Sequence, residues 1–417
     1  MKNSQTKTSS PRITAERVQM SIRARFNPIP SLTPQLLGAY LESFRMGYFR
    51  NIALTWDAME RRDYQLQAVA PRRKKSVARK GFEILTSEDS AMAREQKAVL
   101  EYFYDHLTAV NALEENETGG FALLVRQMMD AVGKRYAVHE IVWQPGKRLT
   151  AQFRYCPLWW FEGTQGRLRF LQSDFAITGE EMNPGEWLVT VGDGIMEACS
   201  IAYMFKHLPL RDWLACCEKF GMPGIVGRTQ AALHSKEWDS FVEAIQAFSQ
   251  DWAAVFGTGS TVELVQPKGT AEAPFAPLVE KMDRAITTLW RGGDLGTMSS
   301  RHATGASLQA DETQILEADD AELISETLAT QVSRKVLEYH FGDAPVLAYL
   351  KIRTAGIKDT AQSLQIDQFL LQSGVPISVK DALERYERPM PAPDEKLLTA
   401  PLPSPITTQP NPATPTK

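Results

Sequence analysis

Residues 290–311 read Trp-Arg-Gly-Gly-Asp-Leu-Gly-Thr-Met-Ser-Ser-Arg-His-Ala-Thr-Gly-Ala-Ser-Leu-Gln-Ala-Asp, a glycine- and serine-rich stretch set between two strongly helical patterns. Loops longer than about 12 to 15 residues are uncommon inside compact domains and are functional or disordered when they occur. Such a segment must do something other than pack. Before it, Leu278, Met282, Ala285, Ile286 and Leu289 recur at helical spacing, with Glu280, Lys281, Asp283 and Arg284 on the opposite side. After it, Leu316, Leu323, Ile324, Leu328, Val332 and Val336 mark a second amphipathic helix, acidic near its start and closed by Arg334 and Lys335. That polarity suits the helix dipole. Three uses of the loop compete: a phosphate cradle, a hydrolase site built on Ser299 or Ser300 with His302, and a mobile segment lining a surface or channel.

A chain of 417 residues is long enough for two or three domains, and 43% hydrophobic with 23% charged residues is the balance of a globular protein. The net charge of −4 and a pI near 6.0 argue against tight nucleic-acid binding through overall charge, while leaving transient contact with DNA open. Cys156, Cys199, Cys216 and Cys217 have no Cys-x-x-Cys spacing, so a reduced, cytosolic setting is expected. No apolar run approaches the roughly 18 to 20 residues that span a bilayer, and the first ten residues lack the apolar core of a signal peptide. The sequence predicts a soluble protein that is not exported by that route and has no membrane partner.

Residues 1–30 are polar and proline-punctuated and read as an extended arm, disordered in the simplest case or clasping a neighbouring subunit. Helical spacing runs through residues 33–66, 91–107 and 120–132. The basic run Arg72, Arg73, Lys74, Lys75, Arg79 and Lys80 is expected to form a solvated face, with a phosphate or partner contact as the alternative. Residues 136–143, 151–155, 167–171 and 186–191 are short, aromatic and β-branched, and are separated by turn signals. They predict an antiparallel β region. Trp143, Trp159, Trp160, Phe161 and Trp187 belong most simply to its core, since few basic residues interleave with them as base stacking would require. A long apolar helix over 197–220 stops at Gly221-Met-Pro-Gly224. A helix over 230–256, a strand over 260–266, and a helix over 360–386 interrupted at 374–376 complete the pattern. The last 29 residues hold nine of the 24 prolines and cannot build a core.

Enzyme signatures are missing where chemistry would need them. No GxxxxGK[ST] phosphate loop is present, and Gly292, Gly293 and Gly296 follow a helix where a dinucleotide loop would follow a strand. There is no GxSxG elbow, and Ser299, Ser300 and His302 are too close in sequence to be trusted as a nucleophile and base. His106, His139, His207, His234 and His340 occur singly and read as surface or satisfied core histidines, so no metal and no cofactor are expected. The pair Asp319 and Asp320 suits a solvated helix face better than acid/base or two-metal work.

The order of elements becomes informative once those signatures are set aside. Residues 36–66 lead into Pro71-Arg-Arg-Lys-Lys-Ser-Val77; strand 136–143 precedes Cys156-Pro-Leu-Trp-Trp-Phe161; the segment Cys217-Glu-Lys-Phe-Gly-Met-Pro-Gly-Ile-Val226 follows; and the loop 292–306 continues into Leu308-Gln-Ala-Asp-Glu312. In this order, over about residues 30–390, the chain resembles the Mu-type bacteriophage portal family. The resemblance implies an α+β portal fold with wing, stem, clip and crown, no enzymatic activity, and a ring, typically of twelve subunits, at the capsid vertex of the virion, assembled in the host cytoplasm. Double-stranded DNA would pass along its axis during packaging and ejection. The partners implied are further copies of the chain, the terminase large subunit, a head-tail adaptor, the major capsid protein and a scaffold. Residues 1–30 would be the arm, 31–196 and 307–356 the wing, 197–220 and 277–290 the stem helices, 221–276 the clip, 291–306 the tunnel loop, 357–390 the crown and 391–417 the proline-rich tail. Arg291, Arg301 and His302 would then approach DNA, and Arg228, Lys236 and Lys268 would face the motor or adaptor. Two rival readings are a hydrolase or nuclease using the 299–302 loop and another ring-forming scaffold or adaptor.

Overall fold

Three consecutive helices near the N-terminus frame the fold, and the residue types at their boundaries explain two of their starts. Thr33 caps α1 (Pro34–Arg45), its hydroxyl accepting from the Leu36 N–H at 3.2 Å, and Pro34 gives up only an N–H that the first turn leaves unpaired. Helix α2 (Arg50–Arg62) ends at Asp63, whose carboxylate accepts from the Gln65 and Leu66 N–H groups, each at 2.9 Å, and so starts α3 (Tyr64–Ala78). Helix α3 runs through Pro71 and most of the basic run. The computed structural model describes residues 13–14, 17–18, 29–220, 224–251, 260–265, 275–293, 306–354 and 360–385. The chain divides into two units, Met1–Thr354 and Ala355–Lys417.

The first unit continues with β1 (Phe82–Thr86), α4 (Ala91–His106), β2 (Thr108–Asn111), β3 (Glu114–Gly119), α5 (Phe121–Met128) and α6 (Asp130–Lys134). Next come β4 (Tyr136–Gln144), β5 (Thr150–Cys156), the short strands β6 (Phe161–Glu162), β7 (Arg169–Phe170) and β8 (Glu180–Glu181), and β9 (Trp187–Val191). Five strands form one sheet in the order β3-β2-β5-β4-β9. The strands expected to be antiparallel pair that way, β4 with both β5 and β9 and β7 with β6 and β8, and the sheet is mixed only because β2, outside that region, lies parallel to β5. Alternation with period two is the same for either direction, so the sequence pattern could not separate them. A second pairing joins β1 to β12 (Ala348–Ile352), with Phe82 opposite Ile352 across most of the unit's sequence.

Between β9 and β12 the chain forms α7 (Met196–Phe220), the antiparallel pair β10 (Gly224–Thr229) and β11 (Ser260–Val265) around α8 (Lys236–Asp251), and then α9 (Phe275–Arg291). The helix expected from residue 230 starts instead at Lys236, after a turn, and residues 252–256 lie outside the described residues. Helix α10 (Ala306–Leu328) passes through a π turn (Ala329–Ser333) into α11 (Arg334–Phe341). An extra residue in that turn shifts the helical face. Gln331 thereby reaches the outer edge of β9, accepting from the Val189 N–H at 2.9 Å and donating to its carbonyl at 2.8 Å, which covers part of an otherwise open strand edge. In the second unit α12 (Thr360–Gln372) and α13 (Val379–Arg385) flank a break at Gly374, where φ is +79°. The proline-rich tail lies outside the described residues.

Three apolar clusters hold the first unit. One packs α4, α5, a face of the large sheet, α10, α11 and β12 around Phe103, Phe153, Ile324 and Val332. A second packs α1, α2 and α3 against α7 and α9 through Trp56, Leu66, Tyr203, Ile286 and Trp290. The third holds Trp159, Trp160, Phe161, Phe170 and Trp187, so the aromatic load is core, as its sequence setting suggests. Ile13 is buried in that cluster and Arg17 pairs with Asp174 at 3.0 Å, so these residues of the N-terminal stretch pack against the rest of the same chain.

One buried side chain closes the β1–β12 pairing. Gln96 of α4 is fully buried; its amide donates to the Pro345 carbonyl at 2.8 Å and accepts from the Leu347 N–H at 2.8 Å and the Ala348 N–H at 3.2 Å. Gln96→Ala leaves these groups unpaired, at about 1–3 kcal/mol for each group that stays dry. Urea denaturation should therefore show a loss of about 2–4 kcal/mol with an unchanged slope.

Candidate functional site

The two helices that flank the 294–305 segment are joined through one side chain. Arg73, buried in the middle of α3, donates through Nε and Nη2 to the two carboxylate oxygens of Asp320 on α10, at 2.7 and 2.9 Å. Its Nη1 donates to the carbonyl of Trp290, in the last turn of α9, at 3.4 Å. A guanidinium suits this task because its donors are fixed in one plane and it stays charged when buried. Two further ties brace the same place: the Thr313 hydroxyl donates to the Arg291 carbonyl at 2.8 Å, and Lys80 pairs with Glu317 at 3.2 Å. At Gly292 φ is +74°, a left-handed conformation that favours glycine, and a Cβ there would stand 3.0 Å from Leu316 Cδ1.

This geometry corrects two sequence readings. The basic run is only partly a solvated face: Arg72, Lys75 and Arg79 are exposed, but Arg73, Lys74 and Lys80 turn inward to carboxylates. Asp320 is likewise buried against Arg73, while Asp319 beside it is exposed. Charge runs at helical spacing fall on two faces, and their partners lie far away in sequence.

A second cluster binds the two long helices α7 and α9 to the start of α3. Lys206 on α7 has no solvent exposure and stands between Asp63, at 2.8 Å, and Asp283 of α9, at 2.6 Å, with its Nζ 3.5 Å from the centre of the Tyr64 ring. The Tyr64 hydroxyl donates to Asp283 at 2.5 Å, and His207 Nε2 lies 3.0 Å from Asp63. Burial pushes the Asp63 carboxyl up, but hydrogen bonds from His207, Lys206 and the Leu66 N–H prevail and bring it down to about 2. Burial and the neighbouring Asp283 push the Tyr64 phenol up, which keeps it a donor.

The third cluster faces a cavity of about 620 Å³ between α2, α3, the β2–β3 turn and the end of β5. Lys74 reaches Asp130 at 2.6 Å and Glu60 at 3.1 Å; Lys134 reaches Asp130 at 2.9 Å; and the Tyr155 hydroxyl donates to Asp130. Burial opposes charge on Asp130, yet the two lysines hold its carboxyl well below the usual range. His139 is pushed down to about 3 by burial and is a neutral core histidine, its Nε2 3.3 Å from Gln127. Among the described residues no group of three or more His, Cys, Asp or Glu side chains is placed to hold a metal ion.

Of the residues singled out in the sequence, Arg291 is the last residue of α9 and half-buried, its carbonyl accepting from Thr313. Arg228 is exposed on β10, across from Thr261 of β11, and Lys236 is exposed in the first turn of α8. These two therefore share one small α/β element. Arg301, His302, Ser299, Ser300 and Lys268 lie outside the described residues. Sequence reasoning missed Arg73, Asp320, Asp63, Lys206 and Asp283. The available signal was a lysine set in the apolar helix 197–220 and a capping aspartate after a helical run.

Arg73→Ala leaves Asp320 buried without its partner and should cost about 3–5 kcal/mol in denaturation, with Arg73→Lys restoring only part because the two-point contact is lost. Asp63 has a folded-state value near 2 against an ordinary 3.8, so its contribution is full above about pH 4 and fades as pH falls toward 2. The gap in Tm between the wild-type protein and Asp63→Asn should accordingly be widest at neutral pH and shrink across that window.

Comparison with known proteins bears on what this arrangement serves. Residues 53–388 match the family described as the portal protein of Mu bacteriophage. The chain is 22% identical over 290 residues to the portal protein of Escherichia phage Mu, covering 66% of this chain and 54% of that protein. It is 20% identical over 180 residues to the Mu-like prophage FluMu protein gp29 of Haemophilus influenzae, covering 40% of this chain and 35% of that protein. The matches thus span about half or less of these relatives. Among solved structures, a chain from the neck of an empty gene transfer agent particle computed with C6 symmetry shares the fold at a TM-score of 0.51 and 12% identity, over 84% of this chain and 94% of that one. A chain from the virion of a native gene transfer agent particle does so at 0.50 and 11%, over 84% and 93%. With the family matched over most of its length, this α+β chain belongs to the family of the Mu bacteriophage portal protein.

Proposed function

We propose that this chain is the subunit of a phage portal, a non-enzymatic ring at the capsid vertex of the virion through which double-stranded DNA is packaged and ejected. The observation that carries the reading is the joint at Arg73, where the end of α9 and the body of α10, the two helices that flank the 294–305 segment, are both fixed to α3. A segment so held can project into a channel while its root stays in place. Helix α7 also presents Ile201, Phe205 and Leu214 at 49%, 58% and 62% exposure, apolar surface that neighbouring copies in a ring would cover.

On this reading residues 31–196 and 307–356 form the wing, 197–220 and 277–290 the stem, 221–276 the clip, 291–306 the tunnel loop and 357–390 the crown of a ring of typically twelve copies. Arg291, Arg301 and His302 approach the DNA backbone, and Arg228, Lys236 and Lys268 face the terminase large subunit and later the head-tail adaptor. The capsid protein and scaffold surround the wing. The electrostatics agree with sliding: each phosphate contact releases counterions and adds affinity, so a chain of net charge −4 with few cations on one loop touches DNA without gripping it. A separate terminase supplies the energy of translocation, since the sequence has no phosphate-binding loop of its own.

Electron microscopy of the purified protein should show closed rings with a central hole that admits duplex DNA, and dispersed monomers together with a hydrolytic activity lost in His302→Ala would overturn the reading. Replacing Arg291 and Arg301 by alanine should leave rings intact while lowering DNA retention after packaging. Unchanged packaging and retention would remove these two residues from the channel.

A further inference from the structure

Helices α3 and α10 each carry a run of one charge sign, and each run is divided between an inner and an outer face. The inner charges serve the subunit itself, since Arg73 and Lys80 of the α3 region meet Asp320 and Glu317 of α10. The outer charges stay exposed. On α3 and its C-cap these are Arg72, Lys75 and Arg79, spaced three and four residues apart and so on one helical face. Over residues 306–333 there is no lysine, arginine or histidine, and Glu312, Asp319, Glu322 and Glu326 are exposed along one face, with Ile315, 53% exposed, among them.

We propose that these two outer faces meet between copies of this chain, the basic stripe Arg72–Lys75–Arg79 of one subunit lying on the acidic stripe Glu312–Asp319–Glu322–Glu326 of the next. The proposal rests on the ring reading and names one of its contacts. None of the seven side chains forms an ion pair with another described residue, and like charges at these spacings repel along a helix. The isolated subunit therefore holds two strained stripes of opposite sign. They border different grooves: Lys75 and Arg79 line one with Asn116 and Thr118 of β3, whereas Glu322 and Glu326 line another with Tyr349 and Lys351 of β12. A contact between two different faces is head-to-tail, and repeated by rotation it closes into a ring, where a self-matching face would stop at a dimer. Exposed ion pairs are individually weak, so the stripes set register and partner orientation, while buried apolar surface supplies the bulk of the affinity.

Charge reversal tests this with the full-length chain, read by electron microscopy and sedimentation. One variant carries Arg72→Glu, Lys75→Glu and Arg79→Glu; the other carries Glu312→Lys, Asp319→Lys, Glu322→Lys and Glu326→Lys. Each alone should lose rings while keeping its helical circular dichroism. Mixing the two in equal amounts should restore them, because alternating subunits again present opposite signs at every contact, and so should both sets combined in one chain. Rings from either single variant at wild-type yield would overturn the proposal, as would failure of both the mixture and the combined chain to assemble while folded. Normal rings with lost DNA retention in the first variant would assign the basic stripe to DNA and overturn it likewise. If the wild-type protein itself forms no rings, it is the portal reading that fails.

Discussion

Arg73 sits where α3 must agree with two helices more than two hundred residues further along the chain. Its guanidinium joins α3 to α10 through the Asp320 carboxylate and to α9 through the Trp290 carbonyl. Taking both charges out of water is costly, and the two-point contact repays that cost only with near-ideal geometry. Small displacements are therefore resisted, and the pair acts more as a register pin than as a source of net stability. Because Trp290 lies in the last turn of α9 and Asp320 well inside α10, the same pin fixes where these two helices meet.

The other two buried charge clusters extend this logic along the same stretch of chain. Asp63, the cap of α3, receives Lys206 from α7, and Lys206 also holds Asp283 of α9. Directly after Arg73, Lys74 reaches Asp130 at the start of α6. Residues 63–80 thus act as an internal rack to which α7, α10 and the short helix α6 are each attached by a charged contact. Apolar packing around Trp56, Leu66 and Trp290 supplies the bulk of the attraction, and the charged contacts select one alignment of the helices over neighbouring ones.

In the channel proposed above, that division would have a use. The support must keep its shape under load, while the part nearest the DNA must avoid strong phosphate contacts. A buried ionic frame between the helices that flank the polar glycine-rich stretch would meet the first of these needs. The same charge runs then serve twice, inward to brace the subunit and outward as the faces proposed to meet in the ring.

Much of this was legible in the residues themselves. Helical spacing marked α4, α7 and α9 closely, whereas α1 to α3 stood as one helical stretch over 33–66 and α10 begins at Ala306, inside the stretch read as loop to Asp311; the break at 374–376 was readable from its glycine and proline, and the order of elements pointed to the portal family. These properties arise from near neighbours in the chain, whose preferences the sequence states directly. The short strands β1, β2, β3, β10 and β12, the parallel pairing of β2 with β5, and the inward turn of Arg73, Lys74, Lys80, Lys206 and Asp320 were not legible. A charge is written identically whether it faces water or a partner more than two hundred residues away, as Arg73 and Asp320 are. Only the tertiary structure decides which, because desolvation and pairing depend on what long-range packing brings alongside.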